Sequence, residues 1–313
     1  MTPIRLLFVS NSDSKSAWKR RLEALDPSIE VRLWPDPGSL DGIEAALVWK
    51  PPAGLLATLP RLRLVLSLGM GVDHVFADPA LPKGVPVVRL VDPDLVNRMS
   101  EYCALAVLRY HRNADAYDAF QRARQWKALP NEPAGASRGV GILGLGEIGR
   151  DLAAKLAPFG FRLAGWSRTP KLVPGVESYH GAEGFKPFLA RSEIAVCLLP
   201  LTPETEGILN AAAFAALPKG AIVVNAARGG HVVDADLLAA LDSGHVAAAQ
   251  LDVFRQEPLP PEHPFWAHPK VRITPHNAGL TNPETAAAQI VENLRRLRAG
   301  ERLLNVVDPA RGY

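Results

Sequence analysis

Residues 139–149 read GVGILGLGEIG. The first five positions are apolar or glycine and predict a buried strand, and the next six match the pattern GxGxxG. The pattern opens an amphipathic stretch whose apolar face comprises Ile148, Leu152, Leu156 and Phe159. A strand, a glycine-rich turn and a helix in this order predict the dinucleotide-binding unit of a doubly wound parallel sheet.

The same pattern predicts how a dinucleotide would be bound. Glycines allow a tight turn and a close approach of the backbone, and the N-terminus of the following helix offers N–H groups to a pyrophosphate. The alternative is a turn that only joins strand to helix, but the elements on either side favour binding. The predicted contacts of this loop are Gly144, Gly146, Glu147, Ile148 and Gly149.

The end of the next predicted strand indicates which dinucleotide is bound. Units that bind NAD usually place Asp or Glu here, where the carboxylate bonds the ribose hydroxyls. This chain has Ser167 and Arg168 instead, with Lys171 close behind. Because a 2′-phosphate carries about −1.5 to −2 charges, Ser167 and Arg168 predict a preference for NADP(H) over NAD(H). The alternative is a solvated strand end.

Apolar runs alternate with helical stretches along the whole chain, which predicts an α/β fold of two doubly wound parallel-sheet domains with a cleft between them. The first domain is predicted from runs at 4–9, 31–33, 45–48, 64–68 and 85–90. A long helical connector is predicted over 100–126. The second domain is predicted from runs at 139–143, 161–166, 194–199, 221–224, 247–253 and 271–273, and a helix follows over 283–299.

Composition excludes several classes of protein. The 313 residues are 48% hydrophobic and 21% charged, as in an ordinary globular chain, and the net charge of +3 is spread rather than clustered, which disfavours nucleic-acid binding. The two cysteines fit neither a disulfide framework nor a zinc site, and the histidines show no metal-ligand spacing. No run reaches the roughly 20 apolar residues of a membrane helix. We therefore expect a soluble cytoplasmic protein without a metal.

Three ionisable residues follow predicted strands of the second domain. Arg228 lies in NAARGG at 225–230, Glu257 precedes Pro258, and His276 lies in ITPHNAG at 273–279. Ligands of an open parallel sheet bind at the edge formed by the carboxyl ends of its strands, which is where these residues would lie. The three residue types offer a carboxylate-binding fork, a counter-charge and a group that exchanges protons near neutral pH. Separately, each could be an ordinary surface residue; together they predict a catalytic site.

These motifs resemble the D-isomer-specific 2-hydroxyacid dehydrogenases, most closely the glyoxylate/hydroxypyruvate reductase A branch. The resemblance spans nearly the whole chain and includes LPLTPET at 199–205 and VDPARGY at 307–313. It implies NADPH-dependent reduction of small 2-keto acids to 2-hydroxy acids. His276 would give the proton, helped by the Glu257 carboxylate, and Arg228 would hold the substrate carboxylate and polarise its carbonyl.

The resemblance also implies further contacts. The cofactor contacts, besides those of the glycine loop and of Ser167 and Arg168, would be Leu199, Pro200, Thr205, Ala226, Ala227, Arg228, Asp252, His276, Ala278 and Gly279. The substrate contacts would be Trp49, Met70, Gly71, Arg228 and His276. The loop SLGMGVD at 67–73, which holds two of them, has a simple strand-to-helix turn as its alternative.

Domain boundaries and assembly follow from the same resemblance. Residues 1–100, completed by 283–313, would form a flavodoxin-like substrate domain, and 101–282 a Rossmann-type NADP(H)-binding domain. A homodimer is implied, built partly on residues 100–126.

The sequence leaves two alternative functions open. One is a dehydrogenase for larger 2-keto acids or phosphoglycerate, and the other is a non-catalytic nucleotide-sensing scaffold of the same fold. Asn277 is more polar than the residue expected beside the histidine.

Overall fold

The computed structural model describes residues 3–130 and 133–312. The chain divides into two compact units. The first takes in the chain up to Leu95 and from Thr281 onward, and the second is Val96–Leu280. The sequence had placed these divisions after residues 100 and 282. A substrate role for the first unit and a cofactor role for the second remain predictions.

The first unit contains a parallel sheet with the strand order β2-β1-β3-β4-β5, which is the flavodoxin-like order. Its strands are β1 (Ile4–Val9), β2 (Ile29–Leu33), β3 (Ile43–Val48), β4 (Leu64–Ser67) and β5 (Val87–Val88). The first helices of the chain are α1 (Lys15–Leu25) and α2 (Asp73–Phe76). All of β4 is buried, as expected where a parallel sheet is covered on both faces.

One strand of this sheet is much shorter than the sequence predicted. The apolar run at 85–90 becomes only Val87–Val88. Pro86 has no N–H to donate, although its carbonyl accepts a bond from Val65 N at 3.0 Å. The strand therefore begins only after the proline, at Val87.

The second unit contains a larger parallel sheet with the order β12-β11-β10-β9-β6-β7-β8. Its strands are β6 (Gly139–Leu143), β7 (Arg162–Ser167), β8 (Val176–His180), β9 (Ile194–Cys197), β10 (Ala221–Asn225), β11 (Val246–Leu251) and β12 (Val271–Ile273). The helices along this part of the chain are α3 (Pro93–His111), α4 (Ala114–Arg122), α5 (Glu147–Leu156), α6 (Gly181–Leu189), α7 (Ala211–Ala216) and α8 (Asp234–Asp242). The predicted fold class, two parallel-sheet α/β domains, is confirmed.

Two local predictions for this unit were wrong. Residues 100–126 are not one helix, because α3 ends at His111 and Asn113 takes a left-handed φ of 53° before α4 begins. Asn tolerates that conformation better than most residues, so it permits the break. The strand β8 was missed because its sequence, VESYH, has charged and half-exposed positions and no apolar run.

The last helix, α9 (Pro283–Ala299), has the bounds that its apolar spacing predicted and packs against α1 in the first unit. Its first turn is capped by Asn282, whose side chain accepts a bond from Glu284 N at 3.0 Å. Arg295 pairs with Asp26 at the end of α1 at 3.1 Å. Among the helices in the described residues, none combines the length and the hydropathy that a bilayer crossing requires.

Candidate active site

The glycine loop joins β6 to α5 and needs its glycines for three different reasons. Gly144 has a φ of 105°, and a Cβ there would lie 2.8 Å from the carbonyl oxygen of Leu198. A Cβ at Gly149 would lie 1.9 Å from the carbonyl oxygen of Gly144, so this glycine lets α5 pack against the loop. A Cβ at Gly146 would meet no atom within 4 Å. The open space over Gly146, at the first turn of α5, fits a pyrophosphate.

This loop lies where the strand order of the second sheet reverses. β6 and β9 are neighbours in the sheet, and the chain leaves them in opposite directions, towards β7 and β10. The loop after β9 is closed on itself, since Thr205 Oγ1 donates to the carbonyl oxygen of Pro200 at 2.7 Å and accepts from Thr202 N at 2.8 Å. Leu199 is buried beneath it. This loop, which carries Leu199, Pro200 and Thr205 and is called the Pro200 loop below, therefore faces the switch point. Doubly wound sheets bind dinucleotides at that point.

The predicted cofactor-selecting residues lie at the end of β7. Ser167 is buried, and its hydroxyl donates to the carbonyl oxygen of Thr169 at 2.8 Å, which fixes the turn. Arg168 is exposed. A hydrogen bond from Thr202 lowers the pKa of Glu204, and the charge of Arg168 lowers it further. Arg168 is thus close enough to the loop after β9 to act on it electrostatically.

The Arg228 loop is held by a buried asparagine at the end of β10. Asn225 is fully buried, with Nδ2 donating to the carbonyl oxygen of Arg228 at 2.9 Å and Oδ1 accepting from Ala227 N at 3.1 Å. A Cβ at Gly229 would lie 1.9 Å from the backbone carbon of Phe254, so only glycine fits there. Arg228 itself is half-buried, and its Nη1 donates to the carbonyl oxygen of Ala227 at 2.7 Å.

His276 and Glu257 form a hydrogen-bonded pair. The distance from His276 Nδ1 to Glu257 Oε2 is 2.8 Å, and both side chains are largely shielded from solvent. The other carboxylate oxygen, Oε1, accepts a bond from Phe254 N at 3.1 Å. Because both oxygens are engaged, the carboxylate is fixed in orientation and in turn fixes the imidazole ring.

The backbone of His276 has a left-handed φ of 53°, an uncommon conformation for a residue with a side chain. Asp252, which is only 1% exposed, holds this turn. Its carboxylate accepts from Thr274 Oγ1 at 2.6 Å, Asn277 N at 2.9 Å and Ala278 N at 3.0 Å. His276 N donates to the Asp252 carbonyl oxygen at 2.8 Å. Asp252 therefore shapes the turn, while its predicted contact with the cofactor remains a prediction.

Sequence reasoning did not include Thr274 and Tyr102, which extend this network. The two hydroxyl oxygens lie 2.7 Å apart, and Thr274 donates to Asp252, so Tyr102 is the donor to Thr274. Burial raises the pKa of Tyr102 to about 12, which keeps the donor proton in place. The two residues are 172 positions apart, so no local pattern reveals the pair. Tyr102 lies in the helical connector that the sequence predicts over 100–126.

The predicted residues of the second unit thus lie at one edge of its sheet. The ends of β6, β7, β9 and β10 carry the glycine loop, Arg168, the Pro200 loop and the Ala226–Arg228 segment. The ends of β11 and β12 carry Asp252, Glu257 and the turn from His276 to Gly279. Within the described residues, no group of His, Cys, Asp or Glu side chains is arranged to hold a metal ion.

The predicted substrate residues of the first unit also share a sheet edge. Trp49 follows β3, and Met70 and Gly71 follow β4, its neighbour. Ser67 Oγ donates to the carbonyl oxygen of Gly71 at 3.0 Å and accepts from Gly69 N at 3.2 Å. A Cβ at Gly69 would lie 2.9 Å from the Trp49 ring, so the ring packs directly on the loop backbone.

A glycine loop at the switch point of a doubly wound sheet defines the class of dinucleotide-binding α/β proteins. Within that class, residues 104–278 match the sequence model of the D-isomer specific 2-hydroxyacid dehydrogenase, NAD binding domain. The chain belongs to the D-isomer specific 2-hydroxyacid dehydrogenase family. The resemblance inferred from its motifs is therefore confirmed.

Named relatives cover the full chain. Glyoxylate/hydroxypyruvate reductase A of Yersinia enterocolitica is 44% identical over 99% of this chain and 100% of its own length. The protein of the same name from Serratia proteamaculans is 43% identical with the same coverage. The match thus includes both units rather than the dinucleotide-binding unit alone.

Solved structures of relatives contain the phosphorylated dinucleotide. A D-isomer specific 2-hydroxyacid dehydrogenase from Xanthobacter autotrophicus Py2, in complex with NADPH and MES, is 47% identical with a TM-score of 0.94, covering 99% of this chain and 100% of that one. An NADPH-dependent glyoxylate/hydroxypyruvate reductase from Sinorhizobium meliloti, in complex with NADP and sulfate, is 40% identical with a TM-score of 0.93, covering 100% of both chains.

Proposed function

We propose that this protein is an NADPH-dependent reductase of glyoxylate- and hydroxypyruvate-type 2-keto acids. The observation that carries the proposal is the pair of His276 and Glu257, 2.8 Å apart at the sheet edge that also carries Arg228. A proton donor with its counter-charge and a carboxylate-binding cation are the two groups that reduction of a 2-keto acid requires from the protein. Relatives that bind NADPH or NADP support the choice of cofactor.

Arg228 binds and orients the keto acid in this proposal. Its planar guanidinium can hold the substrate carboxylate through two parallel hydrogen bonds and polarise the adjacent carbonyl group. Asn225 and Gly229 fix the main chain on both sides of it. The positive charge is therefore pre-positioned where negative charge develops on the carbonyl oxygen.

His276 supplies the proton. Because Nδ1 is hydrogen-bonded to Glu257, the proton passes to the substrate oxygen from Nε2. The Glu257 carboxylate accepts a hydrogen bond from Nδ1 and so holds the plane of the ring. When bound, NADPH supplies the hydride that the carbonyl carbon accepts, so one hydride and one proton convert the keto acid to the 2-hydroxy acid and release NADP⁺.

The remaining predicted contacts are part of the same proposal. The dinucleotide contacts are Gly144, Gly146, Glu147, Ile148, Gly149, Ser167, Arg168, Leu199, Pro200, Thr205, Ala226, Ala227, Asp252, Ala278 and Gly279. The substrate contacts in the first unit are Trp49, Met70 and Gly71. The geometry supporting them is their common location at the carboxyl ends of parallel strands.

A substrate panel tests the proposal. Initial rates of NADPH and NADH oxidation are measured with glyoxylate, hydroxypyruvate, pyruvate and a bulky aromatic keto acid. We expect rapid NADPH oxidation with the first two acids and much slower oxidation with NADH. A preference for the bulky acid would instead identify a dehydrogenase for larger substrates. NADPH binding without turnover on any acid would identify a nucleotide-sensing scaffold.

We also propose a homodimer in which residues 100–126 contribute to the interface. Leu105 is 64% exposed and Trp126 is fully exposed, although both are large and apolar. Large apolar side chains that a single subunit leaves exposed are typical of an association surface. The double variant Leu105→Glu, Trp126→Glu should therefore sediment as a monomer, whereas the wild type sediments at twice the mass of one chain.

Leu172 provides the matched control for this experiment, because it is 97% exposed but lies outside the segment. Leu172→Glu should leave the dimer intact. A monomeric wild type, or a double variant that stays dimeric, would exclude this interface.

We further propose a cytoplasmic location. It is supported by two buried thiols, Cys103 and Cys197, which a reducing compartment preserves. Fractionation of the source cells tests the location.

A further inference from the structure

A buried histidine lies beside the proposed substrate-binding arginine. His231 is 0% exposed and ends a short 3₁₀ turn, Gly229–His231, that begins directly after Arg228. Burying a polar side chain lowers the stability of a protein unless hydrogen bonds within the protein replace those to water. The partners of the His231 ring therefore indicate what the residue does.

The ring connects two loops. His231 Nε2 lies 3.2 Å from the carbonyl oxygen of Pro200, and because a carbonyl oxygen only accepts, Nε2 carries a proton. Nδ1 lies 3.3 Å from Arg228 N and 3.0 Å from the Arg228 carbonyl oxygen. It accepts from the amide in the neutral ring and donates to the carbonyl in the charged ring. In both states, one nitrogen bonds Pro200 and the other bonds the main chain of Arg228.

These two loops have different tasks in the proposed function. The Pro200 loop faces the dinucleotide, and the same Pro200 oxygen accepts from Thr205 Oγ1, so it organises the loop closure. Arg228 holds the substrate carboxylate. Backbone bonds from Gly207 N to Gly230 O at 2.8 Å and from Leu209 N to His231 O at 2.9 Å keep the two segments side by side. The His231 ring adds a buried side-chain bridge between them.

We propose that His231 is a positioning residue that sets the Arg228 main chain against the Pro200 loop, and so aligns the carboxylate-binding site with the bound dinucleotide. This inference rests on the proposed function. If so, losing the hydrogen bond of one ring nitrogen should have a different effect from losing that of the other. Loss of the Nε2 bond should disturb the dinucleotide loop, and loss of the Nδ1 bond should disturb Arg228.

Two amide variants separate the nitrogens. In His231→Asn the amide reaches the position of Nδ1, and in His231→Gln it reaches the position of Nε2. His231→Gln should therefore keep NADPH affinity near the wild-type value and raise the KM for glyoxylate about tenfold, the usual effect of one lost hydrogen bond. His231→Asn should weaken NADPH binding about tenfold, with a smaller change in the KM for glyoxylate at saturating NADPH.

The measurements are NADPH Kd by fluorescence titration, KM and kcat for glyoxylate, and Tm. Opposite selectivity of the two variants supports the inference. Equal changes in both constants, or in Tm alone, would assign His231 to the core, and unchanged constants would remove the role altogether. If the wild type turns over no keto acid, the proposed function fails, but the difference in NADPH affinity between the variants still tests the Pro200 half of the bridge.

Discussion

Replacing His276 with Asn should lower kcat by a factor of about 10² to 10⁴, the usual contribution of a positioned proton donor. The Asn side chain is the informative choice because it tolerates the left-handed φ of 53° found at this position. The backbone turn held by Asp252 is then preserved while the imidazole is lost. Steady-state kcat with glyoxylate measures the effect, and NADPH titration should give a Kd close to that of the wild type.

Two further variants control this experiment. His276→Ala should lose as much activity but also some thermal stability, because Ala is less favourable than Asn at positive φ. Glu257→Gln should keep the bond from Phe254 N, but it loses both the charge and the oxygen that accepts from Nδ1 of the imidazole. Because the imidazole itself remains, its kcat should fall by less than that of His276→Asn. Wild-type kcat in His276→Asn would show that another group supplies the proton.

Replacing Arg168 with Asp should reverse the cofactor preference. An opposite pair of charges about 4 Å apart contributes up to about 4 kcal/mol at an effective dielectric of 20, and a 2′-phosphate carries about −1.5 to −2 charges. Arg168 is exposed, so solvent reduces this value, but about 1.4 kcal/mol already changes affinity tenfold. Because repulsion replaces attraction, we expect kcat/KM with NADPH to fall about 100-fold.

The measurement is the ratio of kcat/KM for NADPH to that for NADH. In Arg168→Asp, the new carboxylate should also bond the ribose hydroxyls of NADH, so activity with NADH should rise. Lys171→Asp is the matched control: it makes the same charge change three residues away and should have a smaller effect. Raising the ionic strength should weaken the NADPH preference of the wild type. An unchanged ratio in Arg168→Asp would place the 2′-phosphate elsewhere.

The sequence was most informative where function depends on contiguous residues. The glycine loop could be predicted because each glycine meets a local requirement, such as the φ of 105° at Gly144, that other residues meet poorly. The strand ends carrying Arg228 and His276 followed from apolar runs, since such runs place the loops of a parallel sheet at one edge. The class of both domains could be predicted in the same way.

Contacts between distant segments could not be predicted. The bridge from His231 to Pro200 and the bond between Tyr102 and Thr274 depend on how the loops and helices pack, and neither leaves a periodic signal. Residues of these types are common in loops and on helices, so nothing in the sequence pattern marks them as partners. The break at Asn113 was missed for a related reason, because the apolar spacing continues across it.

The Asp252 carboxylate has a consequence for protein engineering. It belongs to the end of β11, yet its bonds to Thr274, Asn277 and Ala278 shape the chain after β12. Grafting only the segment around His276 from another dehydrogenase would separate that segment from the acceptor that its amides require. The two strand ends therefore form one transplantable module, and a functional chimera should exchange residues 252–279 as a single block.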